Sequence, residues 1–374
     1  MTAALSTAEA KSLARRAALE RIGVTVGSSF FAVIVALAIS ALLLLITGKD
    51  AGAAFSTMAD VATDGDKLYE ALDRATPLII AAIAFSVAEK MNLFNIGVEG
   101  QFLWGMFWAA LAGAYVDLPP VIHVIFILIV AMAAGAFWAG IAGYLKIKHG
   151  INEVISTIML NAIALQLIDW MFNEFFRYES ESLDTPTKPI PSSGHVGDLI
   201  EGEVTGFIVI AALVVVVYYL LVFRSRFGFR LRASGLNAEA ARTSGISANR
   251  MILFAMLISG AIAGLAGLPW LLGEGHAYKT SRPDGYGFGG LSVALLGRNN
   301  PVGIVIAGLL FGLLNAAGGP LQLQGIPQAI VLLIQGITLF SVVIISGLAD
   351  RWYARRTTER AARELELAEK GAQT

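Results

Sequence analysis

No cysteine occurs in the 374 residues, so disulfides, thiol chemistry and cysteine-ligated metal sites are excluded and the redox compartment is left open. Charge is scarce too. Asp, Glu, Lys and Arg make up 15% of the chain, where a soluble globular protein carries about 25%. There is no GxxxxGK loop ending in Ser or Thr, so the chain cannot cradle nucleotide phosphates by that route, and there is no HExxH helix. The four histidines, His123, His149, His195 and His276, lack metal-ligand spacing. No nucleophile–base pair stands out in a hydrophobic run, which makes a membrane enzyme the weakest reading.

What is present is apolar. The composition is 56% hydrophobic with a mean hydropathy of +0.69. Hydrophobic runs of about 18 residues or more recur along the chain, which defines a polytopic helical membrane protein. A barrel would show short alternating segments instead. Hydropathy predicts about ten crossings, near residues 22–46, 74–90, 99–116, 119–145, 151–176, 205–223, 250–272, 284–297, 301–319 and 326–348. The first follows Lys11, Arg15, Arg16 and Arg21 and is too long for a signal-peptide core, so it reads as a retained anchor.

Placing the N-terminus inside puts 20 of the 27 Lys and Arg residues on the cytoplasmic side. The positive-inside bias therefore makes both ends cytoplasmic. The outer segments 50–73 and 177–204 are acidic and read as solvated loops; Pro186, Pro189 and Pro191 forbid a continuous helix in the second. Residues 1–21 form a basic amphipathic segment expected to lie on the inner membrane surface, and 349–374 a charged solvated or interfacial helix. The transmembrane domain spans 22–348. A net charge of −1 says nothing about partners.

Three polar constellations interrupt this apolar background. The stretch SVAEKMNLFNIGVEGQFLWG, residues 86–105, places Asn92, Asn95, Glu99 and Gln101 between two crossings, with Gly97 and Gly100 loosening the backbone. Ionisable groups at membrane depth are costly unless they face a cavity or a partner, and broken helices line transport pathways. In the fifth crossing Glu153, Thr157 and Asn161 recur every four residues, with Asn152 and Ser156 beside them. They form one polar stripe, which either bonds a neighbouring helix or faces a polar solute.

The third constellation is the basic segment from Arg224 to Arg250. There Asn237 can cap a helix of about two turns and Gly245 can end it. Leu236, Ala240 and Ile246 give that helix a small apolar face. So short a helix is marginal alone, so the membrane surface or a partner protein is expected to hold it.

NIGVEGQ at 95–101, GINEVISTIMLN at 150–161, GLNAEAARTSGI at 235–246 and GYGFGGLSVALLGRNNPVG at 285–303 occur in that order. Together, over residues 75–348, they resemble the permease subunits of bacterial ABC importers for nucleosides and simple sugars, relatives of the ribose and branched-chain amino-acid permeases. The resemblance implies an all-α integral membrane protein like a type II ABC importer permease, with about ten transmembrane helices, in the bacterial inner membrane. It implies a pathway at the subunit interface, for which Asn92, Asn95, Glu99, Gln101, Asn152, Glu153, Thr157 and Asn161 are the candidate lining. Residues Gly235, Asn237, Glu239, Ala240, Ala241 and Gly245 match the loop such permeases present to the ATPase.

The implied partners are a cytoplasmic ABC ATPase that binds the ATP, an extracytoplasmic solute-binding protein, membrane lipid and a second permease subunit. A heterodimer is favoured, a homodimer remains open, and no nucleic-acid polymer and no cofactor of the chain's own are expected. The rival reading is an ion-coupled secondary transporter in which Glu99 or Glu153 carries a proton. The capped helix at 235–246 separates the two, since an ion-coupled carrier does not require it.

Overall fold

The computed structural model describes residues 7–179, 184–200 and 204–372. The helices, in chain order, are α1 (Thr7–Ile46), α2 (Ala51–Thr63), α3 (Gly65–Glu89), α4 (Val98–Tyr115), α5 (Pro120–His149), α6 (Glu153–Met171) and α7 (Phe207–Tyr219). After them come α8 (Arg226–Leu236), α9 (Ala238–Thr243), α10 (Ala248–Gly264), the turn α11 (Leu268–Trp270), α12 (Tyr286–Leu296), α13 (Pro301–Ala316), α14 (Gly318–Leu323) and α15 (Gln328–Ala372). One small hairpin, β1 (Asp198–Ile200) with β2 (Val204–Thr205), is the only sheet among the described residues.

All ten hydrophobic runs fall on helices. Seven helices among the described residues are long and apolar enough to cross a membrane, and Phe30–Ile46 and Tyr286–Leu296 are shorter apolar helices. The chain divides into two compact units. The larger, residues 55–325, is built around α3, which is buried without interruption from Ala75 to Ala88. Helices α7, α10, α12 and α13 pack against it. Between α5 and α10 the backbones nearly touch: a Cβ on Gly135 would lie 2.2 Å from the Gly260 carbonyl oxygen. Small residues permit that approach, the usual means by which apolar helices gain contact where lipid offers no hydrophobic driving force.

The smaller unit, residues 1–54 and 326–374, holds α1 along α15, with Arg360 3.1 Å from Glu20. Neither expected boundary, at 21/22 or at 348/349, is a break. Each terminal segment continues its crossing as one helix of 40 or 45 residues. At 1.5 Å per residue these run about 60 Å or more, twice a hydrocarbon core. Residues 1–6, 373 and 374 and the side chains of Lys11, Arg15, Arg16, Arg21 and Glu364 lie outside those described.

The acidic segment 50–73 is also not a loop. It forms α2 and the first turns of α3, whose N-terminus Asp64 caps by accepting from the Asp66 amide.

Candidate functional site

The stretch after α3 turns back into the protein. Asn92 takes a left-handed conformation (φ 59°), which suits asparagine, and its side chain is exposed, away from the other candidates. Asn95 is fully buried. Its amide nitrogen donates to Gln101 Oε1 (3.0 Å) and Ser259 Oγ (2.8 Å), and its oxygen accepts from the Gly97 amide (3.0 Å) and Gln101 Nε2 (2.9 Å). The Ser259 hydroxyl in turn donates to the Ala84 carbonyl at 2.6 Å. Asn161, on α6, accepts from the Gly100 amide and donates to the Ile96 carbonyl, both at 2.9 Å.

Glu99 belongs to the same junction. Its two oxygens accept from the amides of Gly285 and Gly287, each at 2.7 Å, so the start of α4 is tied to the start of α12. Two N-termini converge on one carboxylate, where their unpaired amides favour negative charge. Glu153 pairs with Lys146 at 2.5 Å and accepts from the Phe94 amide at 3.4 Å. Thr157 donates to the carbonyl of Glu153, and Asn152 caps α6 by accepting from Val154.

The structure thus brings Asn95, Glu99, Gln101, Glu153, Thr157 and Asn161 into one region. Within this chain their donors and acceptors engage one another, Ser259 and main-chain groups that include the amides of Gly285 and Gly287, so they form a hydrogen-bonded junction.

An open cleft lies elsewhere, at the acidic end. A cavity of about 670 Å³ is walled by Pro77, Pro269, Trp270 and Tyr286 and edged by Asp66, Lys67, Glu70, Asp73, Arg74 and Glu274. Arg74 and Glu70 pair at 2.6 Å, and Asp73 accepts from both the amide and the hydroxyl of Thr205. The sequence did not reveal this site, because its residues come from three separated segments and the first was read as loop. A carboxylate, Glu274, just past the apolar run 250–272 was the available signal.

The second outer segment is not a solvated loop either. Its amides at Thr187, Ile190 and Val196 donate to the carbonyls of Tyr278 (2.8 Å), His276 (2.8 Å) and Leu272 (3.0 Å). Asp184 accepts from Ser281. His195 and His276 stack with ring centroids 3.7 Å apart. Burial, with His195 and Lys279 adding to it, lowers the His276 pKa from its ordinary 6.5.

At the basic end Ser225 caps α8 by accepting from the Gly228 amide. Asn237 caps α9 by accepting from the amides of Glu239 and Ala240, and Gly245 ends it at φ 76°. Gly235 has no room for a side chain: a Cβ would lie 2.5 Å from the Lys90 carbonyl oxygen. Ala241 is only 4% exposed and packs inward, whereas Leu236 is 89% exposed and Glu239 and Ala240 are exposed. Leu236, Glu239 and Ala240 thus point outward from this segment, while Ala241 packs inward.

Nearby, Asn299 accepts from Ser86 at 2.8 Å through its side chain and from Tyr218 at 3.0 Å through its carbonyl, which gives the GRNNP segment a bracing role that sequence reasoning missed. Among the described residues no three His, Asp or Glu side chains gather to hold a metal.

The helical bundle has a solute-sized cleft at its acidic end and a capped, projecting short helix at its basic end, the build of a membrane transport subunit. The chain belongs to the family described as branched-chain amino acid transport system / permease component, whose pattern matches residues 68–343. The guanosine ABC transporter permease protein NupP of Bacillus subtilis is 34% identical over 342 residues, covering 88% of this chain and 96% of that one. The glucose ABC transporter permease protein TsgB13 of Haloferax volcanii is 33% identical over 85% of this chain and 87% of its own length. The nucleoside ABC transporter permease protein NupB of Lactococcus lactis is 34% identical over 74% of this chain and 78% of its own. No solved structure matches the chain.

Proposed function

We propose that this ABC permease carries nucleosides into the cell, with simple sugars as the nearest alternative. Two of the relatives above are named for nucleosides and one for glucose. Both solute classes are neutral and rich in hydroxyls, which suits a route offering donors and acceptors more than fixed charge. The basic end is cytoplasmic, both termini included, and the acidic end faces the binding protein that delivers the solute. A separate ATPase binds the ATP and docks on Leu236, Glu239 and Ala240. A second permease subunit completes the pathway, a heterodimer being favoured over a homodimer.

The observation that carries the coupling part is the near-complete exposure of Leu236 (89%) beside a short helix capped at both ends. An apolar side chain held out on a rigid turn suits a partner's groove. The ion-coupled alternative loses its candidates, because both Glu99 oxygens are held by backbone amides and Glu153 is paired with Lys146.

Uptake of labelled nucleosides and glucose, in cells with and without this chain, tests the reading. Nucleoside uptake should require the chain and stop when ATP is depleted. Uptake that survives depletion and follows an imposed proton gradient would overturn it.

A further inference from the structure

We propose that the acidic-end cleft is a solute subsite within the permease itself, taking the base of a nucleoside against the rings of Trp270 and Tyr286. The inference deepens the nucleoside reading and rests on it. At about 670 Å³ the cavity falls within the range of roughly 300–1,000 Å³ typical of small-molecule sites. Asp66 and Pro77, both on α3, border it, so it runs roughly 16 Å along that helix from the charged edge inward.

Its composition divides as a nucleoside does. Trp270, Tyr286, Pro77 and Pro269 give flat apolar surface, and bases stack on aromatic rings whatever their identity. Glu70, Arg74 and Asp73 are engaged with one another or with Thr205, and Glu274 stands exposed in the cleft. A carboxylate there accepts from ribose hydroxyls or an exocyclic amine. Tyr286 is held in place from below, since the amides on either side of it, Gly285 and Gly287, both donate to Glu99. Its ring also lies 5.9 Å from that of Phe102. A transit site must release what it takes, and an open cleft with ring surface and an exposed accepting carboxylate at Glu274 meets that need.

The test uses the purified permease–ATPase complex in lipid nanodiscs, photolabelled with 8-azidoadenosine and mapped by peptide mass spectrometry. Label should fall within residues 66–77 or 269–286 and be displaced by adenosine but not by glucose. Tyr286→Leu should weaken labelling about tenfold, the lower range for loss of a stacking ring. In case that variant folds poorly, Glu274→Gln, at an exposed position, should weaken it at least about fivefold.

Label confined to other segments, or displaced equally by glucose, would overturn the proposal. So would a cleft that is never labelled and is shielded only when the binding protein is added, which would mark it as that protein's docking surface. Wild-type uptake measured alongside separates the two levels. Nucleoside uptake with an unlabelled cleft overturns this proposal alone, whereas uptake of glucose only overturns the nucleoside reading as well.

Discussion

The junction around Asn95 and the cleft around Trp270 both concentrate polar side chains in an apolar helical protein. In the junction, Asn95, Gln101, Asn161 and Glu99 satisfy one another and the backbone at 2.7–3.0 Å. In the cleft, Glu274 is exposed and the partly buried rings of Trp270 and Tyr286 line the cavity. A polar group at membrane depth is costly, and that cost is met either by a partner in the protein or by a cavity. The junction met it in the first way and became a brace between broken helices. The cleft met it in the second way, and only such a place leaves hydrogen-bonding capacity for a solute. The two regions should therefore respond oppositely to substitution: the first in stability, the second in transport.

The sharpest break should come from Glu99→Leu. It strips the acceptor from the buried Gly287 amide, which costs about 1–3 kcal/mol when left unpaired, and from the more exposed Gly285 amide beside it. The expected outcome is little folded protein after detergent extraction, judged by size-exclusion profile and thermal unfolding. Normal folding with loss of transport alone would move Glu99 from brace to pathway and collapse the contrast. Asn161→Ala orphans the Gly100 amide and the Ile96 carbonyl, so a loss of similar kind is expected, about 1–3 kcal/mol. Glu274→Gln should leave the unfolding temperature unchanged.

Next in size is a contrast at the other end of the molecule. Ala241→Trp overpacks a buried position at a typical cost of about 1–3 kcal/mol. Ala240→Trp, one residue earlier and exposed, should fold normally yet lose co-purification of the ATPase. Equal stability for the two variants would show that α9 is not seated as described.

A smaller effect is expected at the cleft edge. Glu70→Gln removes a half-exposed ion pair with Arg74, worth no more than about 1 kcal/mol. Its unfolding temperature should barely move.

Much of the architecture was readable beforehand because apolar runs and caps are local signals. Asn237 and Gly245 located α9 from neighbouring residues alone, and helical spacing gave the polar stripe at 153–161. Whether those side chains faced each other or a solute did not follow, since that depends on Ser259, Gly285 and Gly287, more than 90 residues away in the chain. The number of crossings suffers similarly. Segment 50–73 looked like loop because its acids mask an Ala-rich helical core, and α12 is too short to be judged by hydropathy. The cleft was out of reach because three segments, 66–77, 269–274 and 281–286, contribute to it and none carries a motif for it.

The least effect, and the finest test of the contrast, concerns the segment docked beside the cleft. His276 sits at φ 48° with its Nδ1 buried and without a hydrogen-bond partner, stacked on His195. Burial first, then the neighbouring His195 and Lys279, lowers its pKa below 6.5 in the folded protein. The unfolded or undocked chain therefore binds the proton more readily. Stability from this contact is full above the ordinary value near 6.5 and is lost as pH falls below it towards the folded value. The amides of Thr187 and Ile190, which bond the carbonyls of Tyr278 and His276, report on the docking. Their hydrogen exchange, corrected for intrinsic rate, should accelerate between pH 7.5 and about 5.5, while the Asn95 junction, with no histidine among its partners, should not change. His276→Asn suits the left-handed backbone and removes the titrating ring, so exchange at these amides should lose its pH dependence. Acceleration that persists in His276→Asn would assign the effect to another group and leave the histidine stack as packing alone.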